Sequence, residues 1–227
     1  MDDVPGTLAE LHGETVVDEL VKISFPAAVE GHIDDLVTGG GFELVSRSGR
    51  DVTMRRDRSL PDHVGPGMKL LVCGLNPSLY AADRGVNFAR PGNRFWPAML
   101  AAGLVTVDRD PRHALVHHGI GMTDLVKRAT VAAAEISSDE FVAGVARVER
   151  LCSWLRPRAL CVVGLSGWRT ALDRKAVVGW QPEALGGVPV YVMPNTSGLN
   201  ASTQHEGFVD HLLAATDPGY PSTGSGS

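Results

Sequence analysis

Three unbroken apolar runs dominate the hydrophobic pattern of this 227-residue chain. They lie at residues 69–75, 159–165 and 188–193. Such runs, rich in β-branched residues and without polar alternation, are typical of strands covered on both faces of a parallel sheet. Segments with helical periodicity lie between and after them, at residues 93–104, 141–155, 166–175 and 208–216. The pattern predicts an α/β fold, a three-layer sandwich with a central, mostly parallel β-sheet flanked by helices.

The chain ahead of the first run has a different pattern. Residues 1 to about 40 predict a helical segment that ends at the glycines at 39–41, and the next residues predict a hairpin turning at Ser48-Gly49. We therefore divide the chain into three parts. They are an N-terminal helical segment with a short hairpin (1–57), a main domain (58–216) and a tail (217–227). The Pro, Gly and Ser content of the tail predicts disorder.

Composition narrows the class of protein. The acidic start, MDDVPG, predicts no signal peptide, and the apolar runs are too short to cross a bilayer. We expect a cytoplasmic protein that does not bind membranes. The three cysteines lack CxxC spacing, which favours buried, reduced thiols and leaves too few ligands for an all-cysteine iron–sulfur cluster. They are Cys73, Cys152 and Cys161.

Arginines are concentrated in two places, although the formal net charge of −5 does not favour a general nucleic-acid coat. These places are residues 47–58 and the group of Arg84, Arg90 and Arg94. Either a solvated face or a local phosphate-facing edge accounts for such clusters.

Polar turns follow the three apolar runs, where ligands collect in parallel α/β sheets. They are residues 76–77, 164–167 and 194–200. Two of them belong to asparagine-containing motifs, GLNPS at 74–78 and MPNTSGLN at 193–200. Turn chemistry alone accounts for either motif, but their convergence on one edge of the sheet predicts a functional site.

Two other kinds of site remain open from the residues alone. GLSG at 164–167 could bind a phosphate at a helix N-terminus, as in a small-molecule nucleotide-processing enzyme, but its spacing fits neither GxGxxG nor Walker A. His113, His117 and His118 could form part of a metal site, yet no further ligand is evident and HHG has the pattern of a loop. We therefore expect no metal site.

Five separated motifs together resemble one family. They are RSLPDHV (58–64), GLNPS, NFARPGNRFW (87–96), GIGMTDLVKRAT (119–130) and MPNTSGLN. In this order they resemble the mismatch-specific uracil/thymine-DNA glycosylases of the uracil-DNA glycosylase superfamily, over about residues 58–215. The resemblance implies a uracil-DNA glycosylase-like fold and a monofunctional enzyme of base excision repair. Such an enzyme flips uracil, mismatched thymine or another damaged base out of double-stranded DNA and hydrolyses its N-glycosidic bond. A non-catalytic DNA-binding module on the same fold is the alternative.

The resemblance also assigns roles to residues. Asn76 would orient the attacking water, Thr130 would help to hold that water, and Phe88 would stack on the flipped base. The other base-binding residues would be Gly74, Leu75, Pro77, Ala81, Asn93 and Asn195. The DNA-binding loop would comprise Ser197, Gly198, Leu199 and Asn200, with Leu199 as a wedge in the vacated base stack. The enzyme would need no cofactor and act as a monomer at the nucleoid of a bacterial-type cell.

The chemistry of these residues fits such an enzyme. No convincing carboxylate pair of the kind used by most glycoside hydrolases is present, and a carboxamide orients water without removing its proton. Catalysis must then rely on stabilising the departing base, so a slow enzyme that prefers stable base anions is expected. Three residues depart from the family pattern: Ser78 replaces glycine, Ala201 replaces an arginine that contacts the opposite strand, and Asp124 occupies a position often held by Asn or Lys. Ala81, in contrast, would leave room for a 5-methyl group.

Overall fold

The computed structural model describes residues 3–198, 200 and 203–219, and these contain eight strands and eight α-helices. The strands are β1 (Leu20–Ser24), β2 (Phe42–Ser48), β3 (Asp51–Arg56), β4 (Leu70–Gly74), β5 (Ile120–Asp124), β6 (Leu160–Val163), β7 (Gly179–Trp180) and β8 (Val190–Met193). The helices are α1 (Val4–Glu14), α2 (Ile33–Gly39), α3 (Leu79–Arg84), α4 (Phe95–Ala101), α5 (Pro111–His118), α6 (Ser138–Leu155), α7 (Leu165–Ala171) and α8 (His205–Thr216). Short 3-10 turns lie at Ala27–His32 and Ala133–Glu135.

The central sheet has the strand order β5-β4-β6-β8-β7. Its neighbouring strands are parallel except for β7, which is antiparallel to β8. Side chains that alternate along each strand enter two different cores: Leu71 and Cys73 face α6 and α7, whereas Leu70 and Val72 face α4, α5 and α8. The predicted three-layer α/β sandwich with a mostly parallel sheet is therefore confirmed.

Local sequence signals account for the helices that surround the sheet. Ser137 Oγ accepts a hydrogen bond from Glu140 N, and the Glu140 side chain accepts one from Ser137 N, which is the predicted capping box at the start of α6. Pro97 falls in the first turn of α4, where its missing N–H costs no helical hydrogen bond. The residues 117–119, predicted as a loop, instead form the end of α5, which Gly119 closes with a φ of +68°.

The N-terminal segment, predicted to be helical, also contains a β-strand. Residues 20–24 form a strand, β1, which pairs antiparallel with β3 and extends the predicted hairpin to a three-stranded sheet of order β1-β3-β2. The hairpin turns at Gly49 and Arg50, one residue later than predicted. This region has a core of its own and packs on α6, where His32 stacks on Trp154 with a centroid distance of 4.2 Å. The division at residue 57 stays a prediction.

The cysteines and the C-terminal tail complete the description of the fold. All three cysteines are buried free thiols. Residues 217–219 follow α8 without regular structure, and the rest of the predicted tail lies outside the described residues. Among the helices of the described chain, none combines the length and the apolar character needed to cross a membrane.

Candidate active site

A cavity of about 320 Å³ opens at the carboxyl ends of four adjacent strands. Asp124 ends β5, Asn76 follows β4, Val163 ends β6 and Asn195 follows β8, so all four strands contribute to its wall. Most of the predicted site residues line this one cavity. They are Leu75, Asn76, Pro77, Ala81, Phe88, Asn93, Thr130, Asn195 and Ser197. The two asparagine motifs thus converge as predicted from their positions after strands.

Asn76 is held in one orientation by three acceptors around its amide nitrogen. Nδ2 donates to Thr130 Oγ1 at 2.8 Å and to the main-chain oxygens of Pro77 at 3.0 Å and Arg128 at 3.2 Å. Main-chain oxygens only accept hydrogen bonds, so the nitrogen must face them and Oδ1 must point the other way. No residue in the described part of the chain donates a hydrogen bond to Oδ1. This oxygen can therefore accept one from a water in the cavity.

Thr130 acts on the Asn76 amide. Its hydroxyl donates to the main-chain oxygen of Ala132 at 2.9 Å, which leaves an oxygen lone pair for Asn76 Nδ2. The backbones are also joined: Thr130 N donates to Pro77 O at 3.1 Å, and Leu79 N donates to Thr130 O at 3.3 Å. The loop after β5 thus fixes the loop after β4. Thr130 orients the group that would in turn orient a water.

Ser78 has a structural role that explains its place in the first motif. It is the N-cap of α3, and its Oγ accepts a hydrogen bond from Ala81 N at 3.2 Å. A serine caps a helix N-terminus well because its oxygen satisfies an otherwise unpaired N–H. The side chain that departs from the family pattern therefore stabilises the helix that carries Ala81 into the cavity wall.

Phe88 lines the cavity in a strained backbone conformation. Its φ is +57°, a left-handed value that is uncommon outside glycine. Its ring stacks on Phe95 of α4 with a centroid distance of 4.2 Å and an interplanar angle of 28°. Strain of this kind persists where the surrounding structure requires it, often at functional sites. The ring is thereby fixed on a rigid aromatic support.

A carboxyl group forms part of the inner wall. Asp124 is 3 % exposed, and its Oδ2 accepts a hydrogen bond from Asn87 Nδ2 at 3.0 Å. Burial raises the pKa of Asp124 to about 6. Gly74, predicted to bind the base, lies behind this wall, since a Cβ on it would be 2.3 Å from Asp124 Oδ1. Its role is to leave room for the carboxyl group.

Comparison with known proteins identifies the family. A protein-family model described as the uracil DNA glycosylase superfamily matches residues 61–215, more than half of the chain. The chain belongs to this superfamily. Among solved structures, it is similar to a solution NMR structure of a provisionally assigned uracil DNA glycosylase from Methanosarcina acetivorans. The identity is 22 % and the TM-score 0.48, over 68 % of this chain and 98 % of that chain. Superfamily membership supports a DNA glycosylase activity and a role in DNA repair.

The second motif forms a loop anchored from within the protein. Arg94 donates to the main-chain oxygens of Thr203 at 2.8 Å and Ser197 at 3.1 Å, and also to that of Asn200. Its guanidinium lies over the Phe208 ring, 4.7 Å from the centroid. The sequence placed Arg94 in a cluster facing either solvent or phosphate, whereas its guanidinium holds this loop from the inside. The predicted wedge Leu199, and Ala201, lie outside the described residues.

The remaining residues of this loop border the cavity mouth. Asn195 is exposed, and its Oδ1 accepts a hydrogen bond from Ser197 N at 2.8 Å. Gly198 lines a neighbouring cavity of about 260 Å³ together with Arg90, Pro91 and Asn93. Asn93 Oδ1 caps α4 by accepting a hydrogen bond from Phe95 N at 2.9 Å. The loop therefore connects the larger cavity to the neighbouring one, which Arg90 lines.

The structure also bears on the two rival sites, the glycines at 164–167 and the three histidines of α5. A Cβ on Gly164 would lie 2.9 Å, and one on Gly167 2.3 Å, from a terminal carbon of Leu75, so the glycines of GLSG make room for that side chain. The ring of His113 lies 4.3 Å from that of His117 and 5.4 Å from that of His118. Within residues 3–198, 200 and 203–219, no group of three or more His, Cys, Asp or Glu side chains is arranged to hold a metal.

A buried ionic network beside the site was not predicted from the sequence. Asp62 accepts hydrogen bonds from Lys127 Nζ at 2.6 Å, Arg147 Nη1 at 2.8 Å and Thr123 Oγ1 at 2.7 Å. Arg147 Nη2 also donates to the main-chain oxygen of Asp124 at 2.8 Å. The network thus joins α6 to the end of β5, where the cavity begins. The only sequence signal for this network is that Asp62 and Lys127 each belong to a family motif, at 58–64 and 119–130.

Proposed function

We propose that this protein is a monofunctional DNA glycosylase of the mismatch-specific uracil/thymine type, which removes uracil from double-stranded DNA with a water held by Asn76. The orientation of the Asn76 amide is the observation that carries the proposal. Three acceptors hold its nitrogen, so its carbonyl oxygen is directed away from them and can position a water for attack on the sugar. A fixed geometry of this kind lowers the entropic cost of the reaction.

The reaction follows from what an amide can and cannot do. Asn76 orients the water but does not remove its proton, because a carboxamide is not a base near neutral pH. The N-glycosidic bond must therefore be largely broken before the water adds, and the base leaves with its bonding electrons. The electron-poor sugar then takes the water, whose proton passes to solvent. Bases with stable anions, such as uracil, are the best substrates for this sequence of events.

The cavity suits a flipped pyrimidine. Phe88, supported by Phe95, offers an aromatic face for stacking, which typically contributes about 1–3 kcal/mol per base. Ala81 is a small buried residue in the wall, so the 5-methyl group of thymine would meet little obstruction there. Arg90 is exposed at the mouth and can face a phosphate. We also propose that Leu199 acts as a wedge in the vacated base stack. The enzyme would act as a monomer in the cytoplasm, associated with the nucleoid.

Removal of the Asn76 side chain is the direct test. Asn76→Ala should lower the single-turnover rate of uracil excision at least about 100-fold, since even a 1 Å misplacement of a reacting group has that effect. Its Kd for a uracil-containing duplex, measured by fluorescence anisotropy, should stay within about twofold. Gln181→Ala is the matched control, because it removes an amide beside the edge strand β7 and should leave the rate unchanged. Equal rates in Asn76→Ala and wild type would remove the water-orienting role.

A panel of duplexes tests the activity itself. Each duplex holds uracil, thymine, hypoxanthine, xanthine or ethenocytosine opposite each of the four bases, and alkali-labile abasic sites are quantified. Excision of uracil is expected, and the strand should remain intact until alkali is added. If no base is excised from any duplex that the protein binds, the chain is a non-catalytic DNA-binding module on the glycosylase fold.

A further inference from the structure

Two buried polar side chains in the inner wall have no part in the chemistry assigned to Asn76. Asn87 is 2 % and Asp124 is 3 % exposed, and they are joined by the hydrogen bond from Asn87 Nδ2 to Asp124 Oδ2. Trp96 Nε1 donates to the main-chain oxygen of Asn87 at 2.7 Å and fixes its backbone. Asn87 Oδ1 is buried and has no hydrogen-bond partner in the described chain. A buried acceptor without a donor is costly, so a donor from a ligand would be stabilising there.

The second oxygen of Asp124, Oδ1, lies near the ring of Phe88. A Cβ on Gly74 would lie 2.3 Å from Asp124 Oδ1 and 3.4 Å from Phe88 Cζ, so both groups border the same glycine. No described residue donates a hydrogen bond to Oδ1, whereas Oδ2 is engaged by Asn87. A base stacked on Phe88 would therefore present its edge to Asp124 Oδ1.

The two cations near Asp124 form ion pairs with another carboxylate, Asp62. Lys127 and Arg147 form ion pairs with Asp62, at 2.6 and 2.8 Å, and Arg147 reaches only the main-chain oxygen of Asp124. Cys73, on the neighbouring strand β4, is a buried thiol whose pKa is raised well above its usual value, and it is therefore neutral. Burial outweighs the attraction of the two cations, so the pKa of Asp124 rises to about 6. A base that fills the cavity displaces further water and raises it more.

An ionised Asp124 would oppose the reaction. The departing base carries negative charge on its carbonyl oxygens, and a carboxylate against them repels that charge. A neutral carboxylic acid in the same place does the opposite, because it donates a hydrogen bond to the developing anion, as a protonated aspartate does in ketosteroid isomerase. The protonation state of this one group thus decides whether the wall aids or hinders bond breaking.

We propose, resting on the function proposed above, that Asp124 acts as a neutral carboxylic acid that donates a hydrogen bond to a carbonyl oxygen of the departing base. The glycosidic C–N bond breaks, its electron pair moves into the base, and the charge on the carbonyl oxygen is met by the Asp124 O–H. Asn87 positions the acid through Nδ2 and accepts a ring N–H through Oδ1. The pair selects bases in which a carbonyl adjoins a ring N–H, such as uracil, thymine, hypoxanthine and xanthine. Ethenocytosine lacks that N–H and should be removed poorly.

The pH dependence of single-turnover uracil excision tests this role. With enzyme in excess between pH 5 and 8.5, the wild-type rate should fall about tenfold per pH unit once Asp124 ionises, above a midpoint at or above about 6. Asp124→Asn keeps an N–H donor without a charge, so its rate should be independent of pH and should exceed the wild-type rate at pH 8. Asp210→Asn, the same change on the exposed face of α8, should keep the wild-type profile.

A second variant moves the midpoint in a defined direction. The Asn87 hydrogen bond favours the ionised form of Asp124, so Asn87→Ala should shift the falling limb to higher pH. A flat wild-type profile, an Asp124→Asn variant that is folded but inactive at every pH, or a shift to lower pH in Asn87→Ala would each overturn the assignment. Those results leave uracil excision by the wild type intact. No excision at any pH would instead overturn the proposed function, and this inference with it.

Discussion

Asp62 offers the sharpest test of what holds the site together. Its carboxylate is 5 % exposed and lies between two buried cations, Lys127 and Arg147, whose side chains are 7 % and 5 % exposed. Asp62→Asn keeps the size of the side chain and removes only the negative charge. The variant leaves two cations buried without a counter-ion, and one of their hydrogen bonds now meets an N–H₂ group in place of an oxygen.

The expected cost follows from burial. Removing one partner of a buried ion pair costs about 3–5 kcal/mol, because the remaining charge stays desolvated. The free energy of unfolding of a domain is about 5–15 kcal/mol, so this change removes a large fraction of the stability. With an m-value of about 2 kcal/mol/M in urea, the unfolding midpoint should fall by about 1.5–2.5 M.

Asp83→Asn is the matched control for the same chemical change at an exposed site. Asp83 pairs with Arg58 at 2.6 Å, but the two side chains are 54 % and 46 % exposed. Exposed pairs contribute about 0–1 kcal/mol, so the midpoint should move by less than about 0.5 M. Urea unfolding of both variants is followed by circular dichroism and by the fluorescence of the buried tryptophans, among them Trp96 and Trp168. If the two variants lose the same stability, the network is not a principal support of the site.

The pH dependence gives an independent check with a definite sign. Burial alone would raise the pKa of Asp62, but Arg147 and Lys127 hold it below its usual value. A depressed pKa contributes stability above the unfolded-state value of about 3.9, and this stability is lost as the pH falls through the folded-state pKa. The difference between wild type and Asp62→Asn should therefore be largest near neutral pH and narrow in acid.

Two further predictions concern the first motif. Gly74→Ala should abolish uracil excision, because its Cβ would lie 2.3 Å from Asp124 Oδ1 and displace the carboxyl group; a single-turnover rate equal to wild type would contradict this. Ser78→Ala should lower the free energy of unfolding by about 1 kcal/mol through loss of the α3 cap, while Ser78→Gly should cost only a few tenths. Urea denaturation of both Ser78 variants measures this difference, and equal losses would show that the cap is not the cause.

The sequence predicted those elements whose burial is uniform. The three apolar runs all became central strands, since both of their faces are covered by helices. β5 was not predicted as a strand, because Gly121 and Asp124 interrupt its apolar character, and β7 has only two residues. Residues 20–24 were assigned to a helix, but they form an edge strand with alternating exposure. So short a pattern fits the period of a helix as well as that of a strand.

The site was predictable where a motif marks it and obscure where long-range contacts build it. Asn76, Thr130 and Phe88 line one cavity, as their motif positions suggested. The partners of Asp62 are 61 to 85 positions away, and those of Arg94 are 103 to 109 away, so no local pattern reveals them. The direction of the Asn76 amide also depends on the carbonyl of Arg128, 52 positions away.

In the proposed mechanism, a neutral amide at position 76 suits the charge that the cavity already holds. Asp124 shares its wall, and a second carboxylate at 76 would raise the pKa of both acids, since like charges in a poorly solvated site disfavour ionisation. A second negative charge would also repel the base whose departure we propose. In the proposed mechanism the neutral Asn76, locked by Thr130, would position a water without adding charge. Burial raises the pKa of Asp124, in the same wall, to about 6. Selectivity and pH dependence would then rest on one acid, while the proposed water-orienting residue would be independent of pH.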